Sequence, residues 1–371
     1  MPSNSSHNPI RVALVGTGNI AGTHAPALDA LSGVKLVAVC DLDEAKARTV
    51  AERWGASVHN DLDKMLESEK PGSVHVLLPP PAHAWAARQC LNAGAHVFLE
   101  KPFCDSSQAS EQIAELARRR GLQTGVNHNV TYLPVVLKAL DLVRIGAIGA
   151  VEHVSVHFDL PIPRLGRGSL APWMFAGTDK LLLELGPHPI SVIYRFLGKV
   201  LSCSALASGD MQLPNGTRFF HTWQASFGCE RGTAQLLMSL GKAYPSTWID
   251  VVGQDGEIFI DLWRSTIRVG GRSPRRRTGN LREDLRNAMS VSRQSISNFL
   301  ETNLGSFRRS GAVTVQDISF RNSIGEFYSA IARGTPVPAG AEEGTDVVEA
   351  CEMVFEDAIA RTRTEQGVHI G

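Results

Sequence analysis

From Ile10 to about Val126 the chain alternates short, continuously apolar runs with helix-patterned segments, and this rhythm restricts the fold more than any other feature. The apolar runs are Arg11–Val15, Val34–Cys40, Val74–Leu78, His96–Leu99 and Gln123–Val126. Helical patterning covers Ile20–Leu31, Glu44–Trp54, His83–Ala93 and Ser107–Arg120. A strand apolar on both faces needs cover on both faces, so the pattern predicts a doubly wound α/β domain built on a parallel sheet. After Val130 the period changes. A helix over Val135–Ile145 leads to period-two segments at Val151–Phe158, Leu201–Ser208, Arg218–Phe227, Thr233–Ser239, Thr247–Val252 and Glu257–Leu262. These predict a large open, mostly antiparallel sheet in an α+β domain, closed by helices over Gln316–Arg333 and Gly344–Arg363.

Several function classes lose their footing on composition. Lys+Arg and Asp+Glu are 37 each, so no net field draws the chain to nucleic acid or to a membrane surface. Met1–Pro9 is polar and lacks the apolar stretch of a signal peptide, and no apolar run reaches the ~18 residues of a membrane span. The six cysteines (Cys40, Cys90, Cys104, Cys203, Cys229, Cys351) show no paired spacing and read as buried apolar residues of a reducing compartment. A cytoplasmic location is expected. No His/Cys/Glu cluster has ligand spacing, so no metal is expected. One stretch is unusual: residues 272–309 hold nine arginines (Arg272, Arg275, Arg276, Arg277, Arg282, Arg286, Arg293, Arg308, Arg309) against Glu283, Asp284 and Glu301. It reads as a solvated basic insertion with a helix over Leu281–Leu304, and alternatively as an anion-binding surface.

Between the first strand and first helix stands Val15-Gly16-Thr17-Gly18-Asn19-Ile20-Ala21. Gly16 permits the tight turn, Gly18 lets the backbone approach a pyrophosphate, and Ala21 keeps helix and strand close. The helix start beyond it, from Asn19 and Ile20, offers N–H groups and a positive dipole end to phosphates. Strand before and helix after are the context that turns a glycine motif into a dinucleotide site. Asp41 closes the second strand 23 residues after Gly18, where a carboxylate accepts from ribose hydroxyls and repels a 2′-phosphate. This favours NAD over NADP. Glu100-Lys101-Pro102 follows the His96–Leu99 strand at the carboxyl edge of the sheet, where open parallel sheets bind ligands.

With Gly16–Ala21 and Glu100–Pro102 both present, the sequence resembles the glucose–fructose oxidoreductase, inositol dehydrogenase and rhizopine-catabolism family, Gfo/Idh/MocA, over most of its length. The resemblance implies a Rossmann domain over 10–127 after a flexible 1–9 and an α+β substrate and oligomerisation domain over 128–343. A last helix, 344–371, would return to the Rossmann domain. Pro79–His83 stands at the family's T-P-x-x-x-H segment, with Leu78 in place of the threonine. Glu184-Leu185-Gly186-Pro187-His188 stands at the D-x-G-x-H signature, with glutamate for aspartate and Ser191 at a position that is often aspartate. The resemblance implies that Lys101, Glu184 and His188 meet at the nicotinamide: His188 as general base, Lys101 fixing the reacting oxygen, Glu184 tuning both. Pro79, His83, Glu100 and Asn127 would face the cofactor, with His128 and Asn129 beside them. Tyr132, Arg164 and Trp173 are candidates for the substrate wall.

The expectation is an NAD-dependent oxidoreductase acting on a secondary hydroxyl of a sugar, cyclitol or sugar derivative, in a homodimer or homotetramer. A nucleotide-linked sugar is a variant that the arginine-rich stretch would suit. Reduction of a non-sugar carbonyl or imine is the alternative within chemistry. A cofactor-binding sensor without turnover is the alternative outside it, and an intact Lys101 and His188 argue against that.

Overall fold

The computed structural model describes residues 8–161, 172–212, 216–271, 277–308 and 314–367. The chain divides into two compact units, Met1–Asn129 with Ser319–Val348, and Val130–Ile318 with Glu349–Gly371.

In the first unit six strands, β1 (Ile10–Val15), β2 (Val34–Cys40), β3 (Ser57–His59), β4 (Ser73–Val76), β5 (His96–Leu99) and β6 (Thr124–Val126), form an all-parallel sheet ordered β3-β2-β1-β4-β5-β6. The order reverses between β1 and β4, the topological switch point where such sheets open a crevice at their carboxyl ends. The helices between strands are α1 (Ala21–Asp29), α2 (Glu44–Trp54), α3 (Leu62–Glu69), α4 (His83–Asn92) and α5 (Ser107–Arg120). Their ends are written locally: Asp43, Asp61 and Ser106 each accept from a backbone N–H three residues on, and Gly55 and Gly121 close α2 and α5 in the left-handed region.

The second unit carries a seven-stranded sheet ordered β13-β12-β11-β7-β10-β9-β8. Its strands are β7 (Val151–Asp159), β8 (Val200–Gln212), β9 (Arg218–Cys229), β10 (Gly232–Ser239), β11 (Ser246–Gly253), β12 (Glu257–Asp261) and β13 (Thr266–Gly270). Only β7 and β10 pair in parallel, so the sheet is mixed and mostly antiparallel, as the period-two segments predict. Helices α6 (Pro134–Arg144), α7 (Thr178–Leu185), α8 (Pro187–Leu197) and α9 (Arg277–Arg308) belong to this unit. The last two helices, α10 (Val315–Arg333) and α11 (Ala341–Gly367), are each divided between the units.

The short β3 and β13 and the helix α3 were not expected from the sequence, and α7 and α8 fill a stretch for which the pattern gave no helix. Ser319–Val348, which includes the start of α11, belongs to the first unit, and the rest of α11 clusters with the second. In the first unit Ile324, Phe327 and Tyr328 of α10 join the core formed by Leu14, Leu28 and Phe98. The six cysteines are unpaired, five of them buried, and burial pushes the Cys40 thiol up to about 11. No helix among the described residues is long and apolar enough to cross a membrane. Arg272, Arg275, Arg276 and Arg309 lie outside the described residues.

The packing of α10 on the sheet is specific enough to test. Gly125 in β6 lies directly under Phe327, where a Cβ would stand 2.7 Å from that ring and 2.9 Å from Phe98. Phe327→Ala is expected to cost this unit about 3–5 kcal/mol and Gly125→Ala about 1–3 kcal/mol. Hydrogen-exchange protection of the β5 and β6 amides in rising urea checks both.

Candidate active site

The turn after β1 is shaped by close backbone approach. Gly16 sits at φ +95°, its N–H donates to the Cys40 carbonyl at 2.8 Å, and a Cβ there would stand 2.7 Å from the Leu77 oxygen. Gly18 differs: a Cβ there would meet nothing within 4 Å, so its glycine leaves open ground next to the turn. Gly18 and Asn19 are exposed, Ile20 is half-buried, and Ala21 is buried as the first residue of α1. The N–H groups of Ala21, Gly22 and Thr23 turn back onto the carbonyls of Gly18, Asn19 and Ile20, so what the start of α1 offers a phosphate here is its positive dipole end.

Asp41 is held rigidly at the end of β2. Its Oδ2 accepts from the Thr17 N–H at 2.7 Å and the Thr17 hydroxyl at 2.6 Å, and its Oδ1 from the Asp43 N–H at 2.9 Å. Partial burial works against its charge, but the Thr17 hydroxyl, the two N–H donors and Lys46 hold it below the usual carboxylate range. Oδ2 is filled by its two Thr17 donors, while Oδ1 keeps a site for one further donor, such as a ribose hydroxyl. The neighbouring Leu42 is 93% exposed, an apolar side chain with no core to join. Thr17 and Leu42 went unnoticed in the sequence. The threonine between two glycines was the signal for the first, and a leucine right after the acidic strand end was the signal for the second. The open glycine turn, the helix start and the clamped carboxylate fit a dinucleotide.

Glu100 leaves the end of β5 with its N–H on the Val76 carbonyl. Its Oε1 accepts from Asn127 Nδ2 at 2.7 Å and faces His24 Nε2 at 2.7 Å, while Oε2 accepts weakly from the Lys101 N–H at 3.3 Å. Burial opposes its charge, yet His24, Asn127 and the Lys101 charge together hold the carboxyl below its usual range. Lys101 is half-buried and joined to Pro102 by a cis bond. His83 is wholly buried, with Nε2 2.7 Å from the Leu78 carbonyl and Nδ1 2.9 Å from that of Pro102. Burial outweighs these carbonyls and keeps the ring below the usual imidazole range. His83 therefore ties the Leu78–Pro79 turn to the Lys101–Pro102 turn, and Pro79 is the exposed member of that pair.

In the second unit α7 runs into α8 through Gly186, whose φ of −58° and ψ of −33° keep the helical twist. Glu184 and His188 are thus four residues apart across a helical junction and share one face. Glycine is required at 186, since a Cβ would stand 2.7 Å from the Leu182 carbonyl and 3.1 Å from Cys351 Sγ. Pro187 fits the first turn of α8, where its missing N–H costs nothing. His188 is half-buried and stacks on Phe158 with ring centres 6.1 Å apart. Ser191, buried, donates back to the His188 carbonyl at 3.0 Å.

The substrate-wall candidates separate. His128 is buried with Nδ1 2.7 Å from Glu343 Oε1, and Asn129 donates to Ser319 at 3.3 Å. Tyr132 is buried beneath the Arg195 guanidinium, 5.2 Å above its ring. Each of these three thus has a partner within the fold. Trp173 is half-buried in the Pro172–Phe175 turn, and Arg164 lies outside the described residues. Among the described residues no group of His, Cys, Asp and Glu is arranged to hold a metal ion.

Comparison with known proteins agrees with this architecture. Residues 10–128 match the family described as "Oxidoreductase family, NAD-binding Rossmann fold", and residues 136–259 match the "GFO/IDH/MocA C-terminal domain". A dTDP-3,4-didehydro-2,6-dideoxy-alpha-D-glucose 3-reductase of Streptomyces violaceoruber is 28% identical over 256 residues, 68% of this chain and 72% of that protein. A D-glucoside 3-dehydrogenase of Escherichia coli is 36% identical over 205 residues, 53% of this chain and 57% of that protein. Among solved structures, an NAD binding oxidoreductase from Klebsiella pneumoniae superposes with a TM-score of 0.77 at 19% identity, covering 95% of this chain and 98% of that one.

The clamped carboxylate sets the cofactor expectation. Asp41→Ala removes both the acceptor for ribose hydroxyls and the repulsion of a 2′-phosphate. The Kd for NADH should rise about tenfold, the size of losing hydrogen bonds to a charged group, while that for NADPH falls. Thr17→Val should give a smaller change in the same direction. Fluorescence titration with both nucleotides checks this, and a wild-type chain already tighter for NADPH would refute it.

Proposed function

The chain belongs to the Gfo/Idh/MocA oxidoreductase family, and on that premise we propose that it is an NAD-dependent dehydrogenase for a ring hydroxyl of a pyranose or cyclitol. The observation that carries the reading is Glu100-Lys101 at the carboxyl end of β5, in the same unit and at the same sheet edge as the Gly16–Ala21 turn and Asp41. An ammonium there is suited to hold a substrate oxygen beside a bound nicotinamide. Two relatives in different sugar contexts are named for chemistry at a ring 3-position, one a reductase and one a dehydrogenase. A secondary ring alcohol and its ketone are the two ends of one reaction, so the reading covers both directions.

When bound, NAD supplies the hydride acceptor. The chain's own groups then handle the oxygen and its proton. Lys101 donates to the reacting oxygen and steadies the negative charge that grows on it as the proton leaves. His188 takes that proton, for which an imidazole is suited near neutral pH. Glu184, one turn before His188 in a shared helical face, orients the imidazole. Asp41 would hold the adenosine ribose, and the exposed Leu42 beside it would meet the adenine. Association into a homodimer or homotetramer is part of the same reading.

NAD reduction should be measured with methyl α-D-glucopyranoside, myo-inositol and UDP-N-acetylglucosamine as separate probes. Lys101→Ala and His188→Ala are each expected to lower kcat by about 10²–10⁴-fold, with NADH affinity retained. Since both act on one oxygen, the double variant should be little worse than the poorer single one. A folded single variant with near-normal kcat removes that residue from the role, and no NAD reduction with any ring alcohol removes the reading.

A further inference from the structure

Helix α9 of the second unit is turned inside out. Its inward side is polar: Gln294 holds the Ile267 backbone in β13, and Asn298 holds the carbonyls of Arg264 and Ser265 just before that strand. Its outward side is apolar. Leu281, Leu285, Met289, Ile296 and Leu300 are each between 45% and 60% exposed. At about 100° per residue these five fall within one arc about 100° wide and about 29 Å long, and Gln294 and Asn298 stand about 150–170° round from its middle. A surface helix ordinarily lays such an arc on its own core. Here the sheet edge takes the opposite side and the arc faces solvent, the mark of an interaction surface.

Charge decides what the arc fits. Residues 272–309 hold nine arginines against three acids, a net of +6, in a chain whose total is zero, so the remainder carries −6. Arg286 and Arg293, both exposed, stand on one border of the arc, within about 40° of Leu300 round the axis. The helix positions of Glu283, Asp284 and Glu301 lie about 110–150° from the middle of the arc, so no acid of α9 shares its face. A second copy of α9 presents the same arc, with arginines at the border and no carboxylate on it, and so lacks the negative partner that Arg286 and Arg293 require. An anionic lipid surface supplies both halves of the match. It has an apolar interior for the arc, and phosphates at the level that guanidiniums on long stems reach from its border. It also needs no matched spacing of charges.

We propose that α9 is an interfacial helix that docks the chain on an anionic bilayer, with Leu285, Met289 and Ile296 entering the acyl boundary and Arg286 and Arg293 meeting lipid phosphates. The helix lies in the plane of the surface, being too polar on its other sides to cross it. Gln294 and Asn298 keep it fastened to the sheet edge, so docking needs no unfolding of the second unit. The charge distribution sets the orientation: the α9 segment is drawn to anionic lipid, while the remainder of the chain is repelled by it. The inference is independent of the ring-alcohol reading and adds to it a place where that chemistry occurs.

The test is flotation of the full chain with two sets of vesicles, one of phosphatidylcholine alone and one of phosphatidylcholine and phosphatidylglycerol in equal parts. The chain should float with the anionic set and not with the neutral one. It should leave the anionic set as salt is raised from about 0.1 M to about 1 M, where the Debye length falls from about 10 Å to about 3 Å. Arg286→Gln and Arg293→Gln should each weaken partition about fivefold, and about twenty-fivefold together. Met289→Glu puts a carboxylate in the middle of the arc and should abolish flotation, with the Tm unchanged because the position is exposed. Light scattering without lipid reads the rival occupant: wild type and Met289→Glu should have the same mass. No flotation by the wild type, or equal flotation with both sets, overturns the proposal. Flotation that survives Met289→Glu in folded protein, or that the arginine pair leaves unchanged, overturns it too. A lower mass for Met289→Glu gives the arc to a second copy and overturns it as well.

Discussion

A missing side chain at residue 16 holds together everything that faces the carboxyl edge of the parallel sheet. The Gly16 N–H reaches back to the Cys40 carbonyl at the end of β2, while its Cα lies so near Leu77 that a Cβ would stand 2.7 Å from that carbonyl. Three strand ends, those of β2, β1 and β4, are thereby drawn to one point. Two consequences follow without further design. Thr17 is delivered to the carboxylate of Asp41, and Gly18 emerges into open space where phosphate oxygens fit the start of α1. A larger residue at 16 would have to push β4 away, and the crevice at the switch point would lose its floor.

Two carboxylates at this edge show how surroundings divide labour between identical groups. Asp41 is partly exposed and held by backbone N–H donors and a hydroxyl, with Lys46 adding a favourable charge. Its negative charge stays available to the solvent side. Glu100 is half-buried and faces His24, Asn127 and Lys101. Its charge is spent inward, on structure and on the electrostatics of the adjacent lysine. Both titrate below the usual range, yet only the first remains free to meet a ligand.

Much of this was legible in the sequence because the decisive positions are backbone-driven. Gly16, Gly18, Ala21 and Asp41 announce themselves through strand context and spacing, whereas the lack of room beside Leu182 that requires Gly186 shows only in the structure. The α7–α8 junction was hidden for the opposite reason. Gly-Pro reads as a helix break, but here glycine adopts helical angles and proline opens the next helix. For His83, His128 and Asn129, sequence alone does not tell a polar side chain aimed at a ligand from one satisfied by a buried partner. Those partners, the Leu78 carbonyl, Glu343 and Ser319, range from near neighbours to residues more than a hundred positions away. The pairing of His24 with His75 had no local signal at all, since it depends on β4 lying beside β1 and on α10 covering both.

The second sheet shows a different problem solved by the same kind of long-range pairing. An open sheet leaves an edge strand at each side with unpaired backbone groups, a template for adding foreign strands. At one edge, Gln294 of α9 takes the Ile267 N–H at 2.9 Å and donates to the Ile267 carbonyl at 3.0 Å, imitating with one amide what a neighbouring strand would provide. Asn298, one turn on, donates to the carbonyls of Arg264 and Ser265. At the other edge, the Ala205 N–H in β8 is taken by Asp357 of α11 at 2.6 Å, and Arg361 steadies that carboxylate at 2.7 Å. The arginine-rich helix thus has a structural reason to exist that its charge does not reveal: its inward polar residues close an edge. With these backbone groups taken by side chains, strand addition is blocked at these points.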